Sequence, residues 1–113
     1  MTHDYIEINK NLIPYEFQIL LVDEMFKIGV NYNTTAALFV VDLYKLNEET
    51  GLYNEVCLGE PVIYGKPLWQ DVRRVGSFPN LKIIPLDESG STIAVTFDNL
   101  GKTTFLTLDY TGE

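Results

Sequence analysis

Along residues 15–21 (YEFQILL), Tyr15, Phe17, Ile19 and Leu21 alternate with the polar Glu16 and Gln18, and a similar alternation recurs along residues 26–32 (FKIGVNY). An alternation with a period of two is typical of a strand that buries one face. The two runs are separated by a short polar break at residues 23–24. The pattern therefore predicts a β-hairpin in the first third of the chain.

Residues 37–44 (ALFVVDLY) are apolar at both sets of alternating positions, which predicts a central strand that is covered on two sides. Asp42 is the exception within this run. A carboxylate at such a position is expected to face solvent or to bond to a turn, and a role in a functional site is the alternative.

The next segment is richer in polar and turn-forming residues. Residues 45–54 (KLNEETGLYN) predict a loop of about ten residues, which is longer than most hairpin connections. Residues 55–58 predict a strand, which residues 59–61 (GEP) interrupt before residues 62–64. Because proline removes a ladder donor, this strand is expected at an edge of the sheet or at a bulge.

A short helix is predicted over residues 68–74 (LWQDVRR), because Pro67 suits a first helical turn and Leu68, Trp69 and Val72 fall on one side. Such a helix is too short to be stable alone. Its apolar side must therefore be covered by the sheet or by another subunit.

The last third predicts a strand at residues 81–86 and a final hairpin that joins residues 93–97 to residues 103–110 across the turn at 98–102. About seven short strands and one short helix indicate an all-β fold, a small antiparallel β-barrel or sandwich.

The sequence contains no internal repeat or wide linker, so we expect a single domain over residues 1–113. Residues 1–12 predict an extended N-terminal arm, which either frays or docks on a neighbouring molecule.

The charge balance narrows the classes of partner. Eight basic against sixteen acidic residues give a formal charge of −8, which disfavours binding to nucleic acid or to an anionic membrane. Cys57 is the only cysteine, so an intrachain disulfide is excluded, and no apolar run approaches the length of a membrane span. Without a secretory signal pattern at the N-terminus, we expect a soluble protein made inside the cell.

Candidates for catalysis are few. His3 lies in the predicted arm, where nothing holds it, and Cys57 lies in an apolar run without a histidine nearby in sequence. The segment from Asp87 to Ser91 has oxygen-bearing side chains but lacks the spacing of a calcium loop, so it predicts an ordinary turn. The sequence predicts no cofactor, no metal and no enzymatic activity.

Three segments carry a resemblance to a known family: IPYEF at residues 13–17, LFVVDLY at residues 38–44, and a Gly-x-Pro-Val-x-x-Gly-x-Pro-Leu pattern at residues 59–68. In this order, and over residues 13–110, the chain resembles the baseplate plug family, small tail proteins of contractile-tailed phages. The resemblance implies a compact β-barrel in the central baseplate or hub region, which contacts other tail subunits and performs no catalysis.

Because of the resemblance, and because the sequence has few candidate catalytic residues, we predict a structural component of a phage or prophage tail-like particle. It would be made in the bacterial cytoplasm, located in the virion baseplate, and bound to other tail subunits in a symmetric assembly, as a homo-oligomer without nucleic acid or membrane. Contacts are expected from the N-terminal arm and from residues 45–55 and 59–74. The candidate contact residues are Tyr53, Pro61, Tyr64, Pro67, Leu68, Trp69, Arg73 and Arg74.

Two other functions remain open from the sequence. One is a carbohydrate- or ligand-binding β-module that uses Tyr53, Tyr64 and Trp69 as stacking platforms. The other is a small enzyme that uses carboxylates such as Asp42 and Asp71.

Overall fold

The computed structural model describes residues 4–70, 78–79, 81–91 and 93–109. Within these ranges the fold is all-β, as predicted, with seven strands in two antiparallel sheets. The strands are β1 (Tyr5–Ile6), β2 (Tyr15–Leu21), β3 (Glu24–Asn33), β4 (Leu38–Asn47), β5 (Leu52–Pro61), β6 (Lys82–Leu86) and β7 (Phe105–Asp109).

The larger sheet has the strand order β2-β3-β4-β5. The predicted first hairpin is confirmed, because β2 pairs with β3 in the register from Tyr15↔Val30 to Leu21↔Glu24. Its loop consists of Val22 and Asp23, whose φ angles are 48° and 67°. Positive φ at both loop residues matches the twist of the flanking strands and gives the tight two-residue connection.

The central position of β4 is also confirmed, since it lies between β3 and β5. The predicted ten-residue loop after it is wrong, because β4 continues to Asn47 and β5 begins at Leu52. The side-chain oxygen of Asn47 accepts hydrogen bonds from the backbone N–H of Glu49 and Thr50 and closes the four-residue turn. Polar side chains on an exposed hairpin gave this segment the composition of a loop.

The predicted interruption at residues 59–61 takes the form of bulges within β5, an edge strand of its sheet. The β4–β5 register shifts twice, between Val41 and Leu43 and between Leu43 and Tyr44. Gly59, in the first shift, has a φ of 77°. The expected edge position and bulge are therefore confirmed, although the strand persists to Pro61 instead of resuming after it.

The smaller sheet has the order β1-β7-β6. The predicted final hairpin is wrong, because β7 pairs with β1 and β6, and residues 93–97 form a bend and irregular backbone that lead into a turn. Among the described residues, the backbone there hydrogen-bonds to the side chain of Asn99 and not to a neighbouring strand. The Asn99 Oδ1 accepts from the Thr96 N–H, and the Asn99 Nδ2 donates to the Ala94 carbonyl. Ile93 is 84% exposed, so the alternating run has no buried face at its start.

The described part of the predicted extended arm, residues 4–12, lies against the protein's own fold, whereas the sequence left fraying and docking on a neighbour as the alternatives. Tyr5 pairs with Thr107, and Ile6 and Ile8 belong to the core. A 3-10 turn at Lys10–Leu12 follows and is capped by the side chain of Asn9. His3 lies outside the described residues.

The chain between β5 and β6 joins the two sheets. The Val62 N–H donates to the Phe39 carbonyl of β4. The N–H groups of Gly65 and Leu68 then donate to the carbonyls of Pro85 and Ile83, along the edge of β6 that β7 leaves free. This segment covers an edge that would otherwise present unpaired backbone groups.

The predicted helix does not begin at Leu68. Residues 68–70 form a turn in which the Gln70 N–H donates to the Pro67 carbonyl. Trp69 has a φ of 63°, which is incompatible with a right-handed helix. The predicted continuation at residues 71–74 lies outside the described residues.

The core contains residues of both sheets and of the joining segment. The two sheets are separate in their hydrogen bonding and do not close into one barrel, which leaves the two-sheet sandwich of the two predicted architectures. The largest fully buried side chains are those of Trp69, Phe26, Phe39, Ile28, Leu43, Leu68, Leu81, Ile83, Leu100 and Leu106.

Candidate interaction surface

The two most hydrophobic contact candidates lie inside the molecule. Leu68 and Trp69 are 2% and 1% exposed, and the Trp69 ring packs against Phe78 with centroids 6.0 Å apart. A buried indole offers no face for a sugar ring, so Trp69 does not form the stacking platform that a carbohydrate-binding module requires. Arg73 and Arg74 lie outside the described residues.

Tyr64 and Pro67 are half-buried in the joining segment. The Tyr64 hydroxyl accepts a hydrogen bond from the Asp87 N–H, which fixes this ring to the turn after β6. The Glu60 carboxylate of β5 accepts a hydrogen bond of 2.9 Å from the Trp69 N–H and attaches the joining segment to that strand. The joining segment is thus held against the fold, and only part of its side-chain surface is exposed to solvent.

Tyr53 and Pro61 lie on the side of the larger sheet that faces away from the core, which we call the outer face. Directly paired residues share a side of a sheet, so the β2–β5 registers define its members. Apart from Gly29, no member is buried. The outer face comprises Glu16, Gln18, Leu20, Met25, Lys27, Gly29, Asn31, Val40, Asp42, Tyr44, Leu46, Tyr53, Glu55 and Pro61.

Lys27 lies in the middle of the outer face and contacts side chains of three other strands. The Lys27 ammonium lies 3.4 Å from a Glu16 oxygen, 4.7 Å from the centroid of the Tyr44 ring and 5.2 Å from that of Tyr53. The pKa of the Tyr44 phenol is raised, first by burial and then by Asp42, Glu16 and Glu55. Burial is the larger cause, and the three carboxylates add to it because a nearby negative charge disfavours the phenolate.

Asp42 supports the bulge in β5. Its Oδ1 accepts a hydrogen bond of 2.7 Å from the Gly59 N–H, which the register shift leaves without a strand partner. Its Oδ2 would lie 3.3 Å from a Cβ at Gly29, so the glycine leaves room for the carboxylate. This agrees with the expectation of a carboxylate bonded to a turn. Asp71, its partner in the enzyme alternative, lies outside the described residues.

The Cys57 side chain packs against the core from β5. Burial, and then the carboxylates of Glu60 and Asp42, raise the pKa of this thiol. The reactive thiolate is therefore disfavoured at neutral pH, which supports the predicted role as a small packing residue.

A groove of about 840 Å3 lies between the N-terminal segment, β2 and the turn before Leu100. The Lys10 ammonium donates to the carbonyls of Phe97 and Asp98, and it lies 5.2 Å from the centroid of the Phe97 ring. The sequence did not predict this groove, because its walls come from segments more than 80 residues apart and only the tertiary fold brings them together.

The predicted turn at Asp87 is confirmed. The Asp87 carboxylate accepts hydrogen bonds from both the N–H and the hydroxyl of Ser89. Among the described residues, no group of three or more His, Cys, Asp or Glu side chains could hold a metal ion. The described part of the chain has no helix long and apolar enough to cross a membrane.

The apolar members of the outer face, Leu20, Met25 and Leu46, were not among the candidate contact residues, although Leu46 lies in the predicted contact stretch 45–55. Their signal was present in the same strands, at the alternate positions to those assigned to the core. In β2 the polar side of the alternation ends in Leu20, which is 61% exposed.

No match to the chain is found among curated proteins or among solved structures. A scan of family models does find a match, which spans residues 3–111 and so covers nearly the whole chain. The matching model is described as the cyanophage baseplate Pam3 plug gp18. The chain therefore belongs to the phage baseplate plug family, whose members are structural proteins of the virion tail.

Proposed function

We propose that this protein is a non-catalytic plug subunit that acts through contacts with neighbouring subunits of a symmetric tail baseplate. The family match over residues 3–111 is the single observation that carries the proposal. The chemistry of the described residues supports it, because Asp42 is engaged in holding a bulge and Cys57 is a protonated packing residue.

The contacts with neighbouring subunits would come from solvent-accessible side chains on the β4–β5 turn, on β5 and on the joining segment. The β4–β5 turn carries exposed Glu48 and Glu49, the last residue of β5 is Pro61, and the joining segment presents Tyr64 and Pro67. Leu68 and Trp69 are buried and would contribute indirectly, because their packing fixes the conformation of the joining segment. Tyr53, on the outer face, and Arg73 and Arg74, at the end of this stretch, complete the proposed contact set.

Copies of the chain would be arranged as a homo-oligomer around the tail axis, because most subunits of closed protein assemblies occupy symmetric positions. The formal charge of −8 supports binding to protein neighbours in preference to nucleic acid or an anionic membrane. Synthesis in the bacterial cytoplasm would precede incorporation into the particle.

The test is to locate the protein in purified particles of its source phage. Quantitative mass spectrometry of intact particles and of isolated tails should find it in both, at a fixed copy number. Averaged electron cryomicroscopy density should then accommodate the two-sheet fold within the baseplate. Absence of the protein from particles, or its location in the head or along the tail tube, would overturn the proposal.

A further inference from the structure

We propose that the outer face of the larger sheet docks a basic surface of a neighbouring baseplate subunit, one that presents Lys or Arg side chains beside apolar ones. The inference rests on the proposed function, because it names the chemistry of one of the partners which that function requires. It assigns a contact role to the whole face, whereas the sequence analysis selected only Tyr53 and Pro61 from it.

The first observation is an apolar row across one end of the outer face. Leu20 pairs with Met25, and Leu46 pairs with Tyr53. The neighbouring pair Phe26↔Lys45 places Met25 opposite Leu46, so the row crosses all four strands. With strands about 4.8 Å apart, it extends over about 14 Å.

None of the four apolar side chains in this row is buried, and Leu20 is 61% exposed. Single exposed apolar residues are ordinary, whereas a contiguous group of them on a protein surface is typical of an interaction site. The row is thus a surface that a partner would bury.

The second observation is the charge beside the row. Two residues along each strand, about 7 Å away, lies the row that contains Gln18, Lys27, Tyr44 and Glu55. Glu16 and Asp42 follow it, so the face carries three carboxylates against one ammonium.

That ammonium is already engaged by the Glu16 carboxylate and by two aromatic rings. Glu55 is exposed, and a hollow of about 260 Å3 lies between Glu16 and Asp42 above Gly29. Cationic side chains of a partner would complement this half of the face while its apolar side chains cover the row.

The charge also distinguishes the partner from a second copy of this chain. Two outer faces placed together would bring six carboxylates against two ammonium groups, and each chain carries a formal charge of −8. Like charges brought together at an interface cost binding free energy. The homo-oligomer of the proposed function would therefore be formed by other surfaces.

The test is incorporation of variants into particles after complementation of a phage that lacks the gene. Glu16→Lys/Glu55→Lys reverses the charge of the face, Glu16→Gln/Glu55→Gln only removes it, and Leu20→Ser disrupts the row. The matched controls are Glu7→Lys/Asp98→Lys, at two exposed carboxylates outside the face, and Leu12→Ser, at a leucine that is 55% exposed outside the face.

Copies per particle, measured by mass spectrometry, should fall about tenfold or more for the charge reversal and less for the charge removal. Leu20→Ser should lower them about tenfold. Both controls should be incorporated as the wild type is. Circular dichroism and melting of each purified variant would separate a lost contact from a lost fold, and the glutamine variant keeps the test valid if the lysine variant fails to fold.

Wild-type incorporation of all three outer-face variants would overturn this inference while leaving the proposed function intact. A self-association of the purified protein that Leu20→Ser abolishes in sedimentation velocity would assign the face to a second copy and would also overturn it. Absence of the wild-type protein from particles is a different result, because it overturns the proposed function and this inference with it.

Discussion

Trp69 provides the sharpest test of the structure, because it combines a buried aromatic side chain with a backbone conformation that favours glycine. The indole is 1% exposed, and its φ of 63° lies in the left-handed region. Two substitutions separate the two features. Trp69→Ala removes the ring and keeps a Cβ, whereas Trp69→Gly removes the ring and the Cβ together.

The loss of the ring sets the larger effect. A buried aromatic side chain of this size withdraws about 200 Å2 from water, worth about 5 kcal/mol at 25 cal/mol per Å2. Aromatic-to-alanine substitutions in cores cost about 3–5 kcal/mol. We therefore expect Trp69→Ala to lower the free energy of unfolding by about 3–5 kcal/mol, and the melting temperature by about 12–20 °C in a domain of this size.

The backbone determines the order of the two variants. A residue with a Cβ in the left-handed region costs about 1–2 kcal/mol, whereas glycine adopts it freely. The greater chain entropy of glycine in the unfolded state offsets about 0.5–1 kcal/mol of that advantage. Trp69→Gly should therefore be more stable than Trp69→Ala by up to about 1.5 kcal/mol, the reverse of their usual order within regular secondary structure.

Urea titrations of both variants and the wild type, followed by far-UV circular dichroism, provide the measurement, with Leu12→Ser as an exposed control expected to melt like the wild type. Trp69→Ala with unchanged stability would refute the buried position of the ring. Trp69→Gly less stable than Trp69→Ala would refute the left-handed backbone.

Two further predictions concern the outer face. Asp42→Ala should lower the free energy of unfolding by about 1–2 kcal/mol in urea titration, because it removes the acceptor of the Gly59 N–H. Asp42→Asn retains an acceptor and should cost about half as much, so equal losses for the two variants would contradict this role. Spectrophotometric titration, read as the difference between wild type and Tyr44→Phe, should give Tyr44 a pKa above its ordinary 10.0. Glu16→Gln/Glu55→Gln should lower that pKa, and an unchanged value would show that the two carboxylates do not act on the ring. Because folding raises this pKa, the associated stability is fully present below pH 10.0 and is lost as pH rises through the folded pKa.

Local patterns predicted the elements whose partners are close in sequence. The period-two alternation of residues 15–32 gave the β2–β3 hairpin, and the doubly apolar run gave the central strand β4. Pro61 correctly indicated an edge strand with a bulge. In each case the residues that form the element, and the side-chain property that favours it, lie within the same short stretch of sequence.

Partners that are distant in sequence were not predictable in the same way. Strand β7 lies between β1 and β6, which are separated from it by about 100 and 20 residues. The alternation at residues 93–97 was a false indication of a strand, because Asn99 binds their backbone in a turn. Periodicity reports which side of a strand could be buried, but it carries no information about which strand will be its neighbour.

The same difference applies to the candidate contact residues. Composition selected Leu68 and Trp69 because large apolar side chains are common in protein interfaces, yet they are also common in cores. Their burial was decided by the joining segment, whose Gly65 and Leu68 N–H groups bind the edge of β6. The apolar row on the outer face stays exposed, because the fold covers one side of the larger sheet and leaves the other side open.

The sequence by itself determined the all-β class, the first hairpin, the central strand and, through three short segments, the family. These depend on side-chain alternation and on residues a few positions apart. The tertiary structure decided the order of strands in the smaller sheet, the burial of Trp69 and the formation of the outer face. The physical reason is that burial is a property of two surfaces that meet, and the free energy of excluding water selects among pairings that a local pattern leaves equivalent.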